Sequence, residues 1–162
     1  MTPQLHVLFL CTGNSARSIL AEALLTRLGG GRFVAASAGS APKGFVHPQA
    51  LRLLRGWGFD DGSFRSKPWD LFVGLGAPPL DIVITVCDAV AEEACPVWPG
   101  APITAHWGVP NPAVAPDDEA EAAFSDVAAT LRARIERLVA LPTGDLDRAT
   151  LEARVREIGS RL

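Results

Sequence analysis

Near its start the chain has a short, nearly continuous apolar run, LHVLFL (5–10). After a short polar stretch, SILAEALLTRLGGG (18–31) has helical spacing, and its glycines are expected to end the helix. An apolar run without polar alternation is typical of a strand that is buried on both faces of a parallel sheet. A parallel strand needs a crossover, usually a helix, before the next strand of its sheet begins. This first unit therefore predicts a layered α/β fold.

The same alternation continues along the 162 residues. Further strands are predicted at 32–39, 80–87 and, more weakly, 101–107, and further helices at 47–58, 117–141 and 147–158. We therefore predict an α/β fold: an open four-stranded parallel sheet with helices on both faces, plus an extra C-terminal helix. No repeat or linker divides the chain, so we expect a single domain over residues 1–162.

Composition excludes several classes of function. The formal net charge is −3, and 13 of the 15 basic residues are arginines that are spread along the chain, so we expect no nucleic-acid partner. No apolar stretch approaches the roughly 18 residues of a membrane span, so we expect no membrane association. The N-terminus lacks the basic and small-residue features of a signal peptide, which predicts a cytoplasmic location.

Three cysteines, Cys11, Cys87 and Cys95, stand in this chain. In a reducing compartment an odd number of cysteines favours reactive thiols over a static disulfide framework. The cysteines and the three histidines show no zinc-ligand spacing, so no structural metal is expected.

The stretch LCTGNSARS (10–18) joins the first strand to the first helix. Ligands of parallel α/β sheets collect at this edge, where loop N–H groups and a helix N-terminus form an anion site. Gly13 and Asn14 tolerate the left-handed backbone that such a loop uses, and Arg17 has the geometry to bind two oxygens of a tetrahedral anion.

The same electrostatic field favours the thiolate form of Cys11, which Ser18 stabilises by a hydrogen bond. The loop is therefore predicted to present a thiolate nucleophile to a phosphate-like centre. The oxyanion-binding residues are predicted to be Thr12, Gly13, Asn14, Ser15, Ala16, Arg17 and Ser18.

Several separate motifs carry a family resemblance: LCTGNSARS, then SAGS (37–40), VCD (86–88), ACPVWPG (94–100) and AHWGVPNPA (105–113). Together they closely resemble the thiol-dependent arsenate reductases, which share the fold of the low-molecular-weight protein tyrosine phosphatases. The resemblance covers a core of about residues 5–141 and leaves a helical extension over 142–162 unmatched.

The resemblance implies a relay of three thiols. Cys11 would attack arsenate and form an arseno-thiol, and Cys87 would attack Cys11 and release arsenite. Cys95 would then carry the disulfide to the surface, where an external thiol reductant, thioredoxin or glutathione with glutaredoxin, would reduce it. No bound cofactor is implied.

The spacing of the cysteines adds a constraint of its own. Cys11 and Cys87 each follow an apolar strand at its carboxyl end; if the two strands are neighbours, their spacing of about 4.8 Å brings the cysteines within reach of a disulfide. Cys87 and Cys95 are eight residues apart, which spans about 12 Å as a helix, whereas a disulfide needs Cα atoms within about 7 Å. The segment 88–95 is therefore predicted to leave helical structure when these two cysteines are bonded.

The chain departs from the family pattern at Asn111, where relatives carry an aspartate that assists proton transfer. Asparagine has no proton to give at neutral pH, so Asn111 marks a possible proton-transfer position whose function is altered. Either turnover is slow, or the oxyanion supplies its own proton, or another acid such as Asp88 or Asp117 substitutes.

A second departure concerns a potassium ion that some relatives bind through residues matching Asn14, Glu22 and Ser37. Lys67 stands where the family has a further carboxylate. Its ammonium is predicted to replace the cation, so no metal is expected.

Two other functions remain open from the sequence. One is a phosphotyrosine-type phosphomonoesterase that uses Cys11 and Arg17 and has no need of the other two thiols. The other is a non-catalytic oxyanion-binding module, which Asn111 alone suggests. The thiol donor and the oligomeric state are also left open.

Overall fold

Four parallel strands form the single sheet of this computed structural model, which describes residues 4–74, 76–92 and 96–160. Their order across the sheet is β2-β1-β3-β4. The strands are β1 (Leu5–Cys11), β2 (Phe33–Gly39), β3 (Ile82–Thr85) and β4 (Ile103–His106).

Helices connect and follow the strands. They are α1 (Arg17–Leu28), α2 (Pro48–Gly56), α3 (Asp88–Glu92), α4 (Ala120–Ala140) and α5 (Arg148–Ser160). The predicted class, an open four-stranded parallel sheet with helices on both faces and an extra C-terminal helix, is confirmed. None of the helices in the described ranges is long and apolar enough to cross a membrane.

The ends of several elements differ from the sequence prediction. The first helix ends at Leu28, and the glycines of the predicted range stop it: Gly29 is its C-cap, and residues 30–32 form a separate 3-10 turn with Gly30 at φ +60°. The strand predicted over 80–87 is shorter, Ile82–Thr85. Residues on either side of it still run alongside β1, since Val86 N–H donates to the Leu10 carbonyl at 2.8 Å.

The core follows from the two sequence periodicities. Residues 7–10 of β1 are fully buried because this central strand is covered on both faces. The apolar stripe of α4 is buried as its three- and four-residue spacing predicts, through Phe124, Val127, Leu131, Ile135 and Leu138. Leu151, Val155 and Ile158 of α5 join the same core.

The register of the sheet brings the two described cysteines to one edge. Leu10 pairs with Thr85, so that Cys11 and Cys87 both lie at the carboxyl ends of the neighbouring strands β1 and β3. On the other side, Cys11 pairs with Gly39 at the end of β2. A Cβ atom on Gly39 would lie 2.5 Å from the Thr12 carbonyl oxygen and 2.8 Å from that of Cys11, so the loop packs directly on this glycine.

Gly39→Ala is expected to destabilise the fold by about 2 kcal/mol, because the added methyl group meets backbone atoms that have no room to move. Urea unfolding measures this change. Gly62→Ala is the matched control, since an added Cβ there meets nothing within 4 Å. Equal stability of the two variants would contradict the close packing of Gly39 against the loop.

Candidate active site

Carbonyl groups of the loop after β1 accept hydrogen bonds from the segment that follows β2. The N–H groups of Ala41, Lys43 and His47 donate to the carbonyls of Thr12, Gly13 and Ser15 at 2.9, 2.9 and 2.8 Å. Each of these bonds turns a carbonyl outward, toward the segment that follows β2. Since the C=O and N–H of a peptide unit point in opposite directions, the adjoining N–H groups face the interior of the loop, where an anion would bind.

Asn14 holds the loop in its turned conformation. Its φ is +41°, in the left-handed region that asparagine tolerates better than most residues, and its side chain is fully buried. The side-chain amide donates to Ser18 Oγ at 2.7 Å and to Ser37 Oγ at 3.1 Å, and its oxygen accepts from the Lys67 N–H at 2.9 Å. These three bonds fix the strained residue between α1, β2 and the segment before Pro68.

Helix α1 begins directly inside the loop and adds its N-terminus to the site. Its N-cap is Ala16, which makes no side-chain capping bond, and the first turn contains no acidic residue. The N-terminal N–H groups of a helix that lacks a side-chain cap are suited to bind an anion. Arg17 lies in this first turn, and its Nη1 donates to the Val109 carbonyl at 3.1 Å. That bond fixes the guanidinium at the rim of the loop.

The two described cysteines are free and buried thiols. Cys11 Sγ lies 3.0 Å from Ser18 Oγ, the contact expected from the sequence. Cys87 Sγ lies 3.7 Å from Thr12 Oγ1, so the second thiol touches the first residue of the anion loop. The predicted third thiol, Cys95, lies outside the described residues. With Cys87 free, the residues that follow it form the short helix α3.

A cavity of about 310 Å³ opens over the loop and collects most of the predicted oxyanion residues. It is lined by Cys11, Thr12, Gly13, Ser15, Ala16, Arg17, Ala41, Lys43, Ala89, Asn111 and Ala113. Asn14 and Ser18 are buried behind this surface. A larger cavity of about 670 Å³ lies beside β4, but neither described thiol lines it.

Lys43 is a cation of this site that the sequence interpretation missed. Its methylene groups lie over Gly13, 3.3–3.5 Å from the point where a Cβ on that glycine would be. The chain has only two lysines, and this one follows the carboxyl end of β2, at the same sheet edge as Cys11. From that position in the sequence, the place of Lys43 at the anion site could have been predicted. Among the described residues that line the cavity, Arg17 and Lys43 are basic and none is acidic.

Asn111 lines the cavity but its side chain is already engaged. Its Oδ1 accepts from the Ala113 N–H at 3.1 Å and caps a short 3-10 turn. Of the two substitute acids considered from the sequence, Asp88 has its Oδ1 2.7 Å from His106 Nε2. Neither Asp88 nor Asp117 is among the residues that line the cavity.

Lys67 and Glu22 form a partly buried ion pair beside the loop. Lys67 Nζ lies 3.8 Å from Glu22 Oε1, and the two side chains are only 15% and 14% exposed. The same carboxylate oxygen accepts from Ser37 Oγ at 2.6 Å. The ammonium therefore lies beside Glu22, one of the three residues that match the cation ligands of relatives, and it also donates to the Arg65 carbonyl at 3.0 Å. Across the described residues, no three His, Cys, Asp or Glu side chains converge as they would around a metal ion, and the absence of a bound metal stays a prediction.

Burial acts on both members of this pair. It raises the pKa of Glu22 above its ordinary value, although the Lys67 ammonium opposes that shift. It also lowers the pKa of Lys67, against the attraction of Glu22. Burial thus favours the neutral form of each group, and the opposite charge of its partner counters part of that shift.

Lys67→Met is expected to lower the unfolding free energy by about 2 kcal/mol at neutral pH, because it leaves the Glu22 carboxylate buried without its cation. A raised folded-state pKa gives stability that is present at low pH and is lost as pH rises through that pKa. Without Lys67 the pKa of Glu22 rises further, so the stability of the variant falls more steeply between about pH 4 and pH 7.

Urea unfolding at a series of pH values measures this slope. Adding Glu22→Gln to Lys67→Met removes the titrating group and should abolish the added slope. If Lys67→Met loses the same stability at both ends of the pH range, the titration of an unpaired Glu22 is not the cause.

Comparison with known proteins places the chain in a family. The model of the low molecular weight phosphotyrosine protein phosphatase family matches residues 6–154. An arsenate reductase of Bacillus licheniformis is 35% identical over 133 residues, which cover 81% of this chain and 92% of that protein. A glutaredoxin arsenate reductase of a Synechocystis species is 30% identical over 134 residues, which cover 83% of this chain and 95% of that protein.

Solved structures agree with these matches. The arsenate reductase of Archaeoglobus fulgidus aligns with a TM-score of 0.66 and 31% identity, over 83% of this chain and 99% of that one. A thioredoxin-dependent arsenate reductase of Corynebacterium glutamicum aligns with a TM-score of 0.56 and 28% identity, over 81% of this chain and 60% of that one. The resemblance found in the sequence motifs is thus confirmed, and the chain belongs to the low molecular weight phosphotyrosine protein phosphatase family and, within it, to the arsenate reductases.

Proposed function

We propose that this protein reduces arsenate to arsenite with Cys11 as nucleophile and with Cys87 and Cys95 as the thiols that take up the oxidising equivalents. One observation carries the proposal: the Cys11 thiol ends a strand inside an anion-binding loop, and a second free thiol contacts Thr12 of that loop at 3.7 Å. A phosphatase needs only the first thiol. Family membership supports the same chemistry.

In the first step arsenate binds in the loop, where the inward N–H groups, the N-terminus of α1 and the Arg17 guanidinium neutralise its charge. The Cys11 thiolate attacks arsenic, an S–As bond forms, and one arsenate oxygen leaves as water after protonation. Ser18 Oγ, 3.0 Å from the sulfur, stabilises the thiolate before the attack. Lys43 adds positive charge to the same cavity.

In the second step the Cys87 thiolate attacks Cys11 Sγ. A disulfide forms between the two sulfurs, and the electron pair of the broken S–As bond stays on arsenic, which leaves as arsenite. Arsenic gains two electrons and the two cysteines lose two, so the step balances. Thr12 Oγ1 is positioned to donate a hydrogen bond to the attacking Cys87 sulfur.

In the third step Cys95 attacks Cys87, which restores the Cys11 thiolate and leaves a Cys87–Cys95 disulfide. An external thiol donor, thioredoxin or glutathione with glutaredoxin, then supplies two electrons and regenerates both thiols. Since a helix keeps residues eight positions apart at about 12 Å, the segment 88–95 cannot be helical throughout in that disulfide, and we expect α3 to unwind as the bond forms. The pair between Asp88 and His106 is one of the contacts that has to adapt.

Replacing each cysteine by serine tests the relay. Cys11→Ser is expected to abolish arsenite formation, and Cys87→Ser is expected to stop before arsenite is released, because the thiol that would attack Cys11 and break the S–As bond is missing. Cys95→Ser is expected to allow one turnover and then stall with Cys11 bonded to Cys87. Arsenite is measured in single- and multiple-turnover assays with each thiol donor, and mass spectrometry identifies the disulfides.

Hydrolysis of p-nitrophenyl phosphate serves as the control reaction. Hydrolysis that requires Cys11 but not the other two cysteines, together with no arsenite, would make the protein a phosphomonoesterase. Binding of phosphate without turnover in either assay would favour the non-catalytic oxyanion-binding module.

Asn111→Asp is expected to raise kcat for arsenate by about tenfold or more, because general acid catalysis contributes about 10² to 10⁴ in rate where proton transfer limits it. Aspartate also keeps the capping bond to the Ala113 N–H. Asn111→Ala, which removes the cap without adding an acid, is the control. An unchanged kcat in Asn111→Asp would mean that proton delivery at this position does not limit turnover.

A further inference from the structure

The segment after β4 connects the sheet to Arg17. Trp107 and Val109 continue alongside β3, and their N–H groups donate to the carbonyls of Thr85 and Val86 at 2.7 and 3.1 Å. The Val109 carbonyl in turn accepts from Arg17 Nη1 at 3.1 Å. The position of this segment, residues 106–109, therefore sets the position of the guanidinium that faces the oxyanion cavity.

Helix α4 holds the segment from one side. Arg134 is buried, with 2% of its surface exposed, and its Nη1 donates to the Trp107 carbonyl at 2.7 Å and to the Gly108 carbonyl at 3.2 Å. A buried guanidinium on two carbonyls fixes the backbone of this turn strongly, since charge-assisted hydrogen bonds gain strength away from water.

Helix α5 holds the same segment from another side. The Trp107 side chain is fully buried, and its indole Nε1 donates to the Val155 carbonyl at 2.9 Å. Gly159 lies so close that a Cβ there would be 2.4 Å from both the His106 carbonyl oxygen and Trp107 Cδ1. The absence of a side chain at residue 159 lets the last turn of α5 rest directly on the backbone that leads to Val109.

The last part of this helix lies beyond the family match. The match to the family model ends at residue 154, inside α5, so that Gly159 lies outside it. The helix is also tied to β4, since Arg156 Nε donates to the Thr104 carbonyl at 2.9 Å and Arg148 donates to that of Ala101. Its inner face, including Val155, is buried in the common core.

We infer that α5 helps to set the geometry of the oxyanion site. Through Gly159 and Trp107 it positions residues 106–109, and the Val109 carbonyl of this segment orients Arg17. Gly159 and Trp107 are positioning residues, because neither lines the oxyanion cavity. The inference goes beyond the proposed reduction and rests only on that proposal's assignment of Arg17 to oxyanion binding.

The test uses inorganic phosphate as the probe and the full-length protein. Protection of Cys11 from alkylation by iodoacetamide, followed by mass spectrometry, gives the phosphate Kd. Gly159→Ala is expected to raise this Kd about tenfold, since a shift of the order of 1 Å in a positioning group has a large effect on the bound geometry. Gly56→Ala makes the same chemical change in α2, where an added Cβ meets nothing within 4 Å, and should leave the Kd unchanged.

Coupling to Arg17 separates this role from general destabilisation. In a double-mutant cycle with Arg17→Lys, which removes the bond to Val109, Gly159→Ala should change the phosphate Kd less than about twofold. Trp107→Phe keeps a buried aromatic ring but loses the indole N–H, and it should raise the Kd in the same direction. This second variant keeps the test decisive if Gly159→Ala does not fold.

The outcomes divide cleanly. Phosphate that fails to protect Cys11 in the unaltered protein would overturn the oxyanion site itself, and the inference with it. If phosphate protects Cys11 normally in the unaltered protein, two results would overturn only the role of α5. One is an unchanged phosphate Kd in both Gly159→Ala and Trp107→Phe. The other is a change in Kd that is just as large in the Arg17→Lys background. Coupled losses of affinity would support that role even in a protein that does not reduce arsenate.

Discussion

The site depends on the hydrogen bonds that draw the carbonyls of Thr12, Gly13 and Ser15 outward to residues 41–47. An anion cradle made of backbone is useful only if its carbonyls have other partners, because a carbonyl that faced the anion would repel it. The segment after β2 supplies those partners with its own N–H groups. The close approach of Gly39 to the loop, with no room for a Cβ, makes this pairing possible.

Beneath the cradle, electrostatics and conformation reinforce each other. Asn14 is held in a left-handed conformation by three side-chain hydrogen bonds, and one of its partners is the backbone of Lys67. The Lys67 side chain balances the buried charge of Glu22. The residue that stabilises the carboxylate is thus also the residue that anchors the loop, so the charge under the site and the shape of the site are not independent.

The parts of this arrangement that depend on local periodicity could be predicted from the sequence. The run LHVLFL placed Cys11 at the carboxyl end of a buried strand, and the run before Cys87 placed that thiol at the same edge. Contacts between distant segments could not be predicted, because no local pattern records them. Lys43 over Gly13, Asp88 with His106, and Trp107 with Val155 join residues that are 18 to 48 positions apart. Cys95 lies outside the described residues, so its place in the relay rests on the sequence.

The arginines of α5 have a consequence for how this molecule meets others. Strand β4 is at the edge of the sheet, and the carbonyl groups on its outer side are potential partners for a strand of another chain. Arg156 donates a hydrogen bond to the Thr104 carbonyl, and Arg148 donates one to the Ala101 carbonyl, just before the strand. The helix itself packs beside β4. The C-terminal helix therefore occupies carbonyl groups at this edge that could otherwise accept bonds from a strand of another chain, and its arginine side chains, through their charge, disfavour such an addition.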